Sequence, residues 1–375
     1  MNLIEKGIRR VVNRIVNRPS QVQKRRYLQL RSQLEPCRAP EAERIDNEKP
    51  VLIISGLTMT NTGIFCDMLA FLRWVRFAQI LDYTPVIDMK NVPNMYLEAD
   101  EVGRVNAYDY FYNQPGAMSL DEAYRCKNVY FVNRLDCPYD FTRRQKRAYR
   151  EATRVVDWVY GENRAKYFQT WKAVYDAGFT MSETARAYVE EQYRRVIADR
   201  LEAGTDGSVL GLLCRGTDYV NRRPYGHQIQ PTIEQIREKV DEYIQQHRTA
   251  LIFVATEDAG VLRALHAAYG EMLTYIECPR CETRDESIAQ AFAEQHVNRR
   301  LNGLNYFASI ALLSRCDAVI AEAFESLTDY YAKEIAQQKR EAYTAGYEDA
   351  KKGVQPKRTT KVVTKPCLLY TSRCV

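Results

Sequence analysis

Arg215 stands at the end of an unbroken apolar run, Val209-Leu-Gly-Leu-Leu-Cys214, and is followed at once by Gly216, Thr217 and Asp218. A planar guanidinium at the end of a buried strand, beside a glycine that admits close backbone approach, suits bidentate capture of a phosphate, with a diphosphate as the obvious ligand. The plainer reading from spacing alone is an ion pair with Asp218 or another carboxylate, and Asp218 would then orient the guanidinium. A few residues on, His227 follows Gly226 in the polar loop Pro224 to Pro231, and the chain has only four histidines. Such an imidazole can donate to a phosphate or take a proton; the plainer reading is a loop histidine satisfied by backbone.

A second cluster, Ala255-Thr-Glu-Asp258, places a hydroxyl and two carboxylates just after another apolar run. Thr256, Glu257 and Asp258 can hold a ribose or a base edge by accepting hydrogen bonds. The same residues also read as a helix start, with Thr256 as N-cap and the two acids in the first turn. The loop from Gly56 to Gly63 is glycine-bounded but lacks the Gly-Lys-Ser/Thr ending of a nucleoside-triphosphate loop and the three-glycine pattern of a dinucleotide site. Neither a Gly-x-Ser-x-Gly elbow nor a His-Glu-x-x-His zinc helix occurs, so hydrolase motifs lend nothing. Cys278-Pro-Arg-Cys281 has no second pair or neighbouring histidine at zinc spacing, and no metal site is assigned.

These residues need strands that end at one rim. Val51 to Ser55 reads as a short buried strand, the stretch from Gly63 to Leu81 as a helix and Pro85 to Asp88 as a second strand, giving a βαβ unit. A loop rich in Asn, Tyr, Pro and Asp, centred on Asn106 to Pro115, precedes another strand-like run at Val129 to Val132. From Thr142 to Leu201 the pattern is helical, with Glu183, Glu190 and Glu191 interleaved with Arg186, Arg194 and Arg195 on a solvated face. Beyond it, strands at 209–214, 250–255 and near 273–276 alternate with helices at 232–247, 259–269 and 304–313. Ligands bind outside the carboxyl ends of such strands, which puts Arg215 and the Thr256 turn at one mouth.

A chain of 375 residues exceeds what one core usually supports, so two domains are expected, with a cleft between them. The expected division is 1–49 for a basic amphipathic helix and connector, 50–205 for an acceptor-side Rossmann-like domain, 206–335 for a nucleotide-sugar-binding Rossmann-like domain, and 336–375 for a charged tail, disordered or not native. The last stretch, Cys367-Leu-Leu-Tyr-Thr-Ser-Arg-Cys-Val375, looks like a translated sequencing adapter. A net charge of +6 with acids mixed among bases gives no nucleic-acid footprint. Ten scattered cysteines, several inside apolar runs, fit a reducing compartment. No run of about 18 apolar residues exists and no secretory signal is read, so the expected location is cytoplasmic. Residues 1–18 put Ile4, Ile8, Val11, Val12, Ile15 and Val16 on one face and bases elsewhere. That pattern suits peripheral contact with an anionic membrane on its inner side, or a helix packed on its own domain.

With these residues in hand, the chain resembles the fucosyltransferase superfamily of two-Rossmann, GT-B fold that includes nodulation and core α-1,6-fucosyltransferases and the protein O-fucosyltransferases. It looks most like bacterial fucosyltransferase-like proteins of surface-polysaccharide clusters. The resemblance runs from about Val51 to Ile320. Thr84-Pro-Val-Ile-Asp88, the Asn106 to Pro115 loop, Cys214-Arg-Gly-Thr-Asp218, Gly226-His-Gln-Ile229, Ala255-Thr-Glu-Asp258 and Leu312-Leu-Ser-Arg-Cys-Asp317 carry it. It implies an α/β, GT-B-like fold of two doubly wound domains facing a central cleft, and transfer of fucose from GDP-fucose to a glycan or other hydroxyl with inversion and without a metal. In that resemblance Arg215 matches the arginine on the β-phosphate, while Gly216, Thr217, His227, Thr256, Glu257 and Asp258 line the nucleotide site. The proton acceptor would be Asp218 first, then Asp88 or His227. After Ile320 the chain departs from the family pattern: a Gly/Ser-rich donor turn is replaced by Ala321-Glu-Ala-Phe-Glu-Ser326. This keeps two alternatives open, a catalytically degenerate nucleotide- or glycan-binding relative and a transferase for another nucleotide sugar.

Overall fold

Strand β1 (Val51–Ser55) is buried along its whole length, as a run of four aliphatic residues in the middle of a parallel sheet should be. In this computed structural model, which describes residues 21–56, 63–133, 138, 140–157, 164–201, 207–217, 231–283 and 297–321, the chain divides into two units, Met1–Ala185 and Arg186–Val375. Each is α/β and each is built on a parallel sheet.

In the first unit, helix α1 (Gln21–Leu34) precedes β1, and α2 (Ile64–Leu81) connects β1 to β2 (Thr84–Asp88). Helix α3 (Leu120–Arg125) then leads to β3 (Val129–Asn133). The order is β2-β1-β3, with Val51 level with both Thr84 and Val129. Side chains alternate along a strand, so Val51 and Ile53 face one layer, where they meet Leu30 and Leu34 of α1 and Leu120 and Ala123 of α3. The α2 layer carries an aromatic cluster: Trp74 lies edge-on to Phe77 and Phe141, and Phe141 stacks on Phe77 at 5.3 Å. The Trp74 indole N–H donates to the Asn133 carbonyl at 2.8 Å, tying α2 to the end of β3. Helices α4 (Arg143–Asp157) and α5 (Arg164–Gly178) follow, and α6 (Glu183–Tyr193) carries the chain from the first unit into the second.

Two expectations change here. Residues 19–49 read as a connector, yet residues 21–34 are a helix whose Tyr27, Leu30 and Leu34 are buried. The apolar contacts recur at helical spacing but are sparse among charges, which hides them in the sequence. The division near 205 also moves, because residues 186–201 belong with the second unit. Their anchors are there: the Thr274 hydroxyl donates to the Val196 carbonyl at 2.6 Å, and Arg200 donates to the carbonyls of Glu271 and Leu273.

The second unit runs β4 (Ser208–Cys214), α7 (Ile233–Gln246), β5 (Thr249–Thr256), α8 (Ala259–Tyr269), β6 (Leu273–Thr274), α9 (Arg299–Leu313) and β7 (Ala318–Ile320). Helix α7 starts at a reciprocal capping box between Thr232 and Gln235, which satisfies two otherwise orphaned backbone donors. The order β6-β5-β4-β7 means that the chain steps outward twice from β4 and then returns to its other side. That reversal is a topological switch point, and it lies between β4 and β7. Leu210, Leu212, Ile252 and Val254 pack with Ile236 and Val240 of α7 and Val261 and Leu265 of α8. On the opposite face Gly211 admits α9 closely, since a Cβ there would stand 3.0 Å from Leu313 and 3.1 Å from the Cys316 sulfur.

The basic segment 1–18, Asp218, His227 and the tail beyond Ala321 lie outside the described residues. No helix among the described residues is long and apolar enough to cross a membrane.

Candidate functional site

The apolar run of β4 ends at Cys214, whose pair in β5 is Thr256. Parallel pairing in register therefore brings Arg215-Gly-Thr217 and Glu257-Asp258 out of the sheet side by side, at the carboxyl ends of adjacent strands. Arg215 is half-buried and leads the chain out next to the switch point. The two residues after it are both left-handed, with φ of +63° at Gly216 and +55° at Thr217. A glycine adopts this freely; a β-branched threonine does so only where its surroundings dictate it. Thr217 is almost wholly buried, and its backbone N–H donates to Asp258 Oδ2 at 3.2 Å.

Asp258 is 3% exposed and works on two sides. Its Oδ1 accepts from the Val261 N–H at 3.0 Å, capping α8. The cap is thus Asp258 and not Thr256, whose hydroxyl accepts instead from the Asp258 N–H at 3.2 Å. The helix begins at Ala259, so the extended residue immediately before it, Asp258, is the one whose side chain reaches the N3 amide. Of the first amides of α8, Ala259 N–H is taken by the Cys281 carbonyl and Val261 N–H by Asp258, so at this rim the cation suited to an anion is Arg215.

The Cys278 to Cys281 segment has a structural task that its sequence did not suggest. Cys281 pairs with the β5 exit in both directions, its N–H donating to the Glu257 carbonyl at 2.8 Å and its carbonyl accepting from Ala259 at 3.0 Å. Arg280 lies over Tyr275 and donates to the carbonyls of Thr256, Ile276 and Cys278. Burial pushes the Cys278 thiol up, away from the thiolate that a metal would need. Among the described residues no group of His, Cys, Asp and Glu is arranged to hold a metal.

Asp88, offered as a proton acceptor, ends β2 in the first unit and is fully buried. One oxygen accepts from the backbone N–H groups of Lys90 and Asn91, and the other from the Asn91 amide and the Tyr124 hydroxyl. Those four bonds make it an anchor for the turn after β2. Burial, together with the Asp88 charge beside it, raises the Tyr124 hydroxyl above the ordinary phenol range.

The Asn106 to Pro115 loop covers the outer edge of β2. Asn106 accepts from the Met89 N–H at 2.8 Å and donates to the Ile87 carbonyl at 3.1 Å; Gln114 accepts from the Ile87 N–H at 2.7 Å and donates to the same carbonyl. Two side-chain amides thus replace a neighbouring strand.

No protein-family model matches the chain, and no curated protein matches it in sequence. Among solved structures it is similar to a mutant of Arabidopsis thaliana FUT1 in complex with GDP, at 10% identity and a TM-score of 0.38, over 83% of this chain and 73% of that one.

Of the residues picked from sequence, Gly216, Thr217 and Asp258 touch one another, and Arg215, Thr256 and Glu257 flank them on the same two strand ends. Asp88 belongs to the other unit. Nothing in the local sequence marks Arg280 as a residue that ties the end of β5 at Thr256 to the carbonyls of Ile276 and Cys278.

Proposed function

We propose that the chain is a glycosyltransferase that takes GDP-fucose as donor and passes fucose to a hydroxyl of a glycan or other acceptor, with inversion and without a metal. The supporting observation is Arg215: a half-buried guanidinium leaving β4 at the switch point, beside a fixed left-handed turn and the start of α8. The resemblance of Cys214-Arg-Gly-Thr-Asp218 and Ala255-Thr-Glu-Asp258 to the fucosyltransferase motifs supports the choice of donor. In this reading Arg215 holds the diphosphate with bidentate hydrogen bonds. As the bond from the anomeric carbon to the diphosphate oxygen breaks, negative charge builds on GDP, and one fixed donor at such a position contributes about 3 kcal/mol to the transition state. Thr256 and Glu257 stand where a ribose or base edge would be held. The acceptor oxygen attacks the anomeric carbon from the face opposite GDP, and its proton goes to Asp218, with His227 the second choice. Asp88 is not given that role, because its oxygens are spent on the turn it anchors.

Calorimetry tests the reading. GDP and GDP-fucose are expected to bind, with GDP-mannose and UDP-sugars weaker. Arg215→Lys keeps the charge but loses the fork, so GDP affinity should fall at least about tenfold. Equal binding by wild type and variant would remove Arg215 from the diphosphate. Slow release of GDP from GDP-fucose supports turnover, whereas tight binding without release would point to a degenerate module.

A further inference from the structure

Asp258 sits where two structural tasks meet, and only one of them is common. Capping α8 through Oδ1 is a service that serine or asparagine performs about as well. The other is the bond from Thr217 N–H to Oδ2, which spans from β5 to the turn after β4. We propose that the Asp258 carboxylate is a positioning residue that sets the left-handed Gly216–Thr217 turn and thereby aims Arg215. The aim matters only if Arg215 holds a diphosphate, so that part rests on the reading above.

Three observations carry the proposal. The turn is in an improbable conformation at a threonine, so something outside it must hold it there, and the carboxylate contacts it at the very amide that the turn redirects. The fit is tight: a Cβ on Gly216 would lie 2.6 Å from the Asp258 Cβ and 2.7 Å from its Oδ2, so glycine is required for the carboxylate to come this close. Asp258 is itself rigidly placed, since the residues on either side of it are bonded to Cys281 and the Thr256 carbonyl is held by Arg280. Position is therefore passed from the 276–281 segment through Asp258 to the Arg215 turn. The Arg215 guanidinium lies at the end of a long side chain, so fixing the backbone from which it starts narrows where the fork can stand, which is what bidentate recognition needs.

The test uses the full chain and two variants that keep the helix cap. Asp258→Asn retains the shape and one oxygen for Val261, but turns an amide donor towards the Thr217 N–H. Asp258→Ser retains a capping oxygen and no longer reaches Thr217. Amide hydrogen exchange and GDP calorimetry are read on both. The expected result is faster exchange at Thr217, unchanged protection of Val261 to Leu265, and GDP binding weakened about tenfold. Wild-type exchange at Thr217 with wild-type GDP affinity would overturn the proposal. So would loss of α8 protection in step with affinity, which is what a mere cap would give. If the wild-type protein binds no GDP, the functional reading fails by itself; Thr217 exchange in Asp258→Asn still decides whether the carboxylate sets the turn, and unchanged exchange rejects it.

Discussion

Carboxylates in this protein differ by what surrounds them. Asp88 and Asp258 are buried and give their oxygens to backbone amides, so both act as fixed pieces of architecture. Asp109 is different: it is surface-lying, and Oδ1 takes hydrogen bonds from Gln114 and Asn106. Partial desolvation raises its carboxyl, against the lowering effect of those two amides. A raised folded value means that the stability gained from protonation is fully present below the unfolded value of about 3.9 and is lost as pH rises through the folded value. Asp109→Asn keeps an oxygen for both amides and carries no charge. Its urea midpoint is expected above wild type at about pH 7, with the gap closing towards about pH 4. A variant less stable than wild type at neutral pH would show that the charge itself supports the loop. Sequence alone reveals a carboxylate at a strand end but not its neighbours. The place of Asp258 at a strand end was legible from the apolar run before it, while its capping role depended on which residue begins α8. Asp109 and Arg280 were illegible although most of their partners are near in sequence, because irregular backbone with no periodicity brings Asn106 and Gln114 to one and the carbonyls of Ile276 and Cys278 to the other.

Elements were easier to read where burial is uniform or caps are local. Strand β1 and helix α8 fall on the residues that their apolar patterns mark, and α7 lies between its cap Thr232 and His247. Helix α1 was hidden by its charge, and the partners of β2 were hidden because one side of that edge strand is closed by side chains from residues 106 and 114. No strand periodicity announces such a cover. Its energetic weight follows from the donors it satisfies. Asn106 is buried and accepts from the buried Met89 N–H. Asn106→Ala leaves that N–H and the outer lone pair of the Ile87 carbonyl poorer by one partner, at a cost of about 1–3 kcal/mol. Thermal unfolding should register the loss as a lower Tm with GDP affinity unchanged, because the residue lies in the first unit and the candidate site in the second. A fall in GDP affinity at constant Tm would instead tie the loop to the nucleotide.

At the scale of the whole molecule, the alternation of strand and helix marks two α/β units, but strand order is silent in sequence. The order β6-β5-β4-β7 places the switch point beside β4, so Arg215 leaves the sheet at the strand end where open α/β sheets bind ligands. Each unit has its own hydrophobic cluster, and all residues of the described site lie in the second. Ligand linkage makes this confinement measurable. A nucleotide at 100 times its Kd stabilises the form that binds it by about 2.7 kcal/mol. Trp74 is fully buried in the aromatic cluster of the first unit, so its fluorescence follows the unfolding of that unit, whereas circular dichroism follows helices of both. In urea titrations, saturating GDP is expected to move the dichroism transition to higher urea and to leave the fluorescence midpoint where it was. A fluorescence midpoint that rises by as much as the dichroism midpoint would mean that nucleotide stabilises the first unit too, and a site confined to Arg215, Gly216, Thr217 and the Thr256 to Asp258 turn would then be too small.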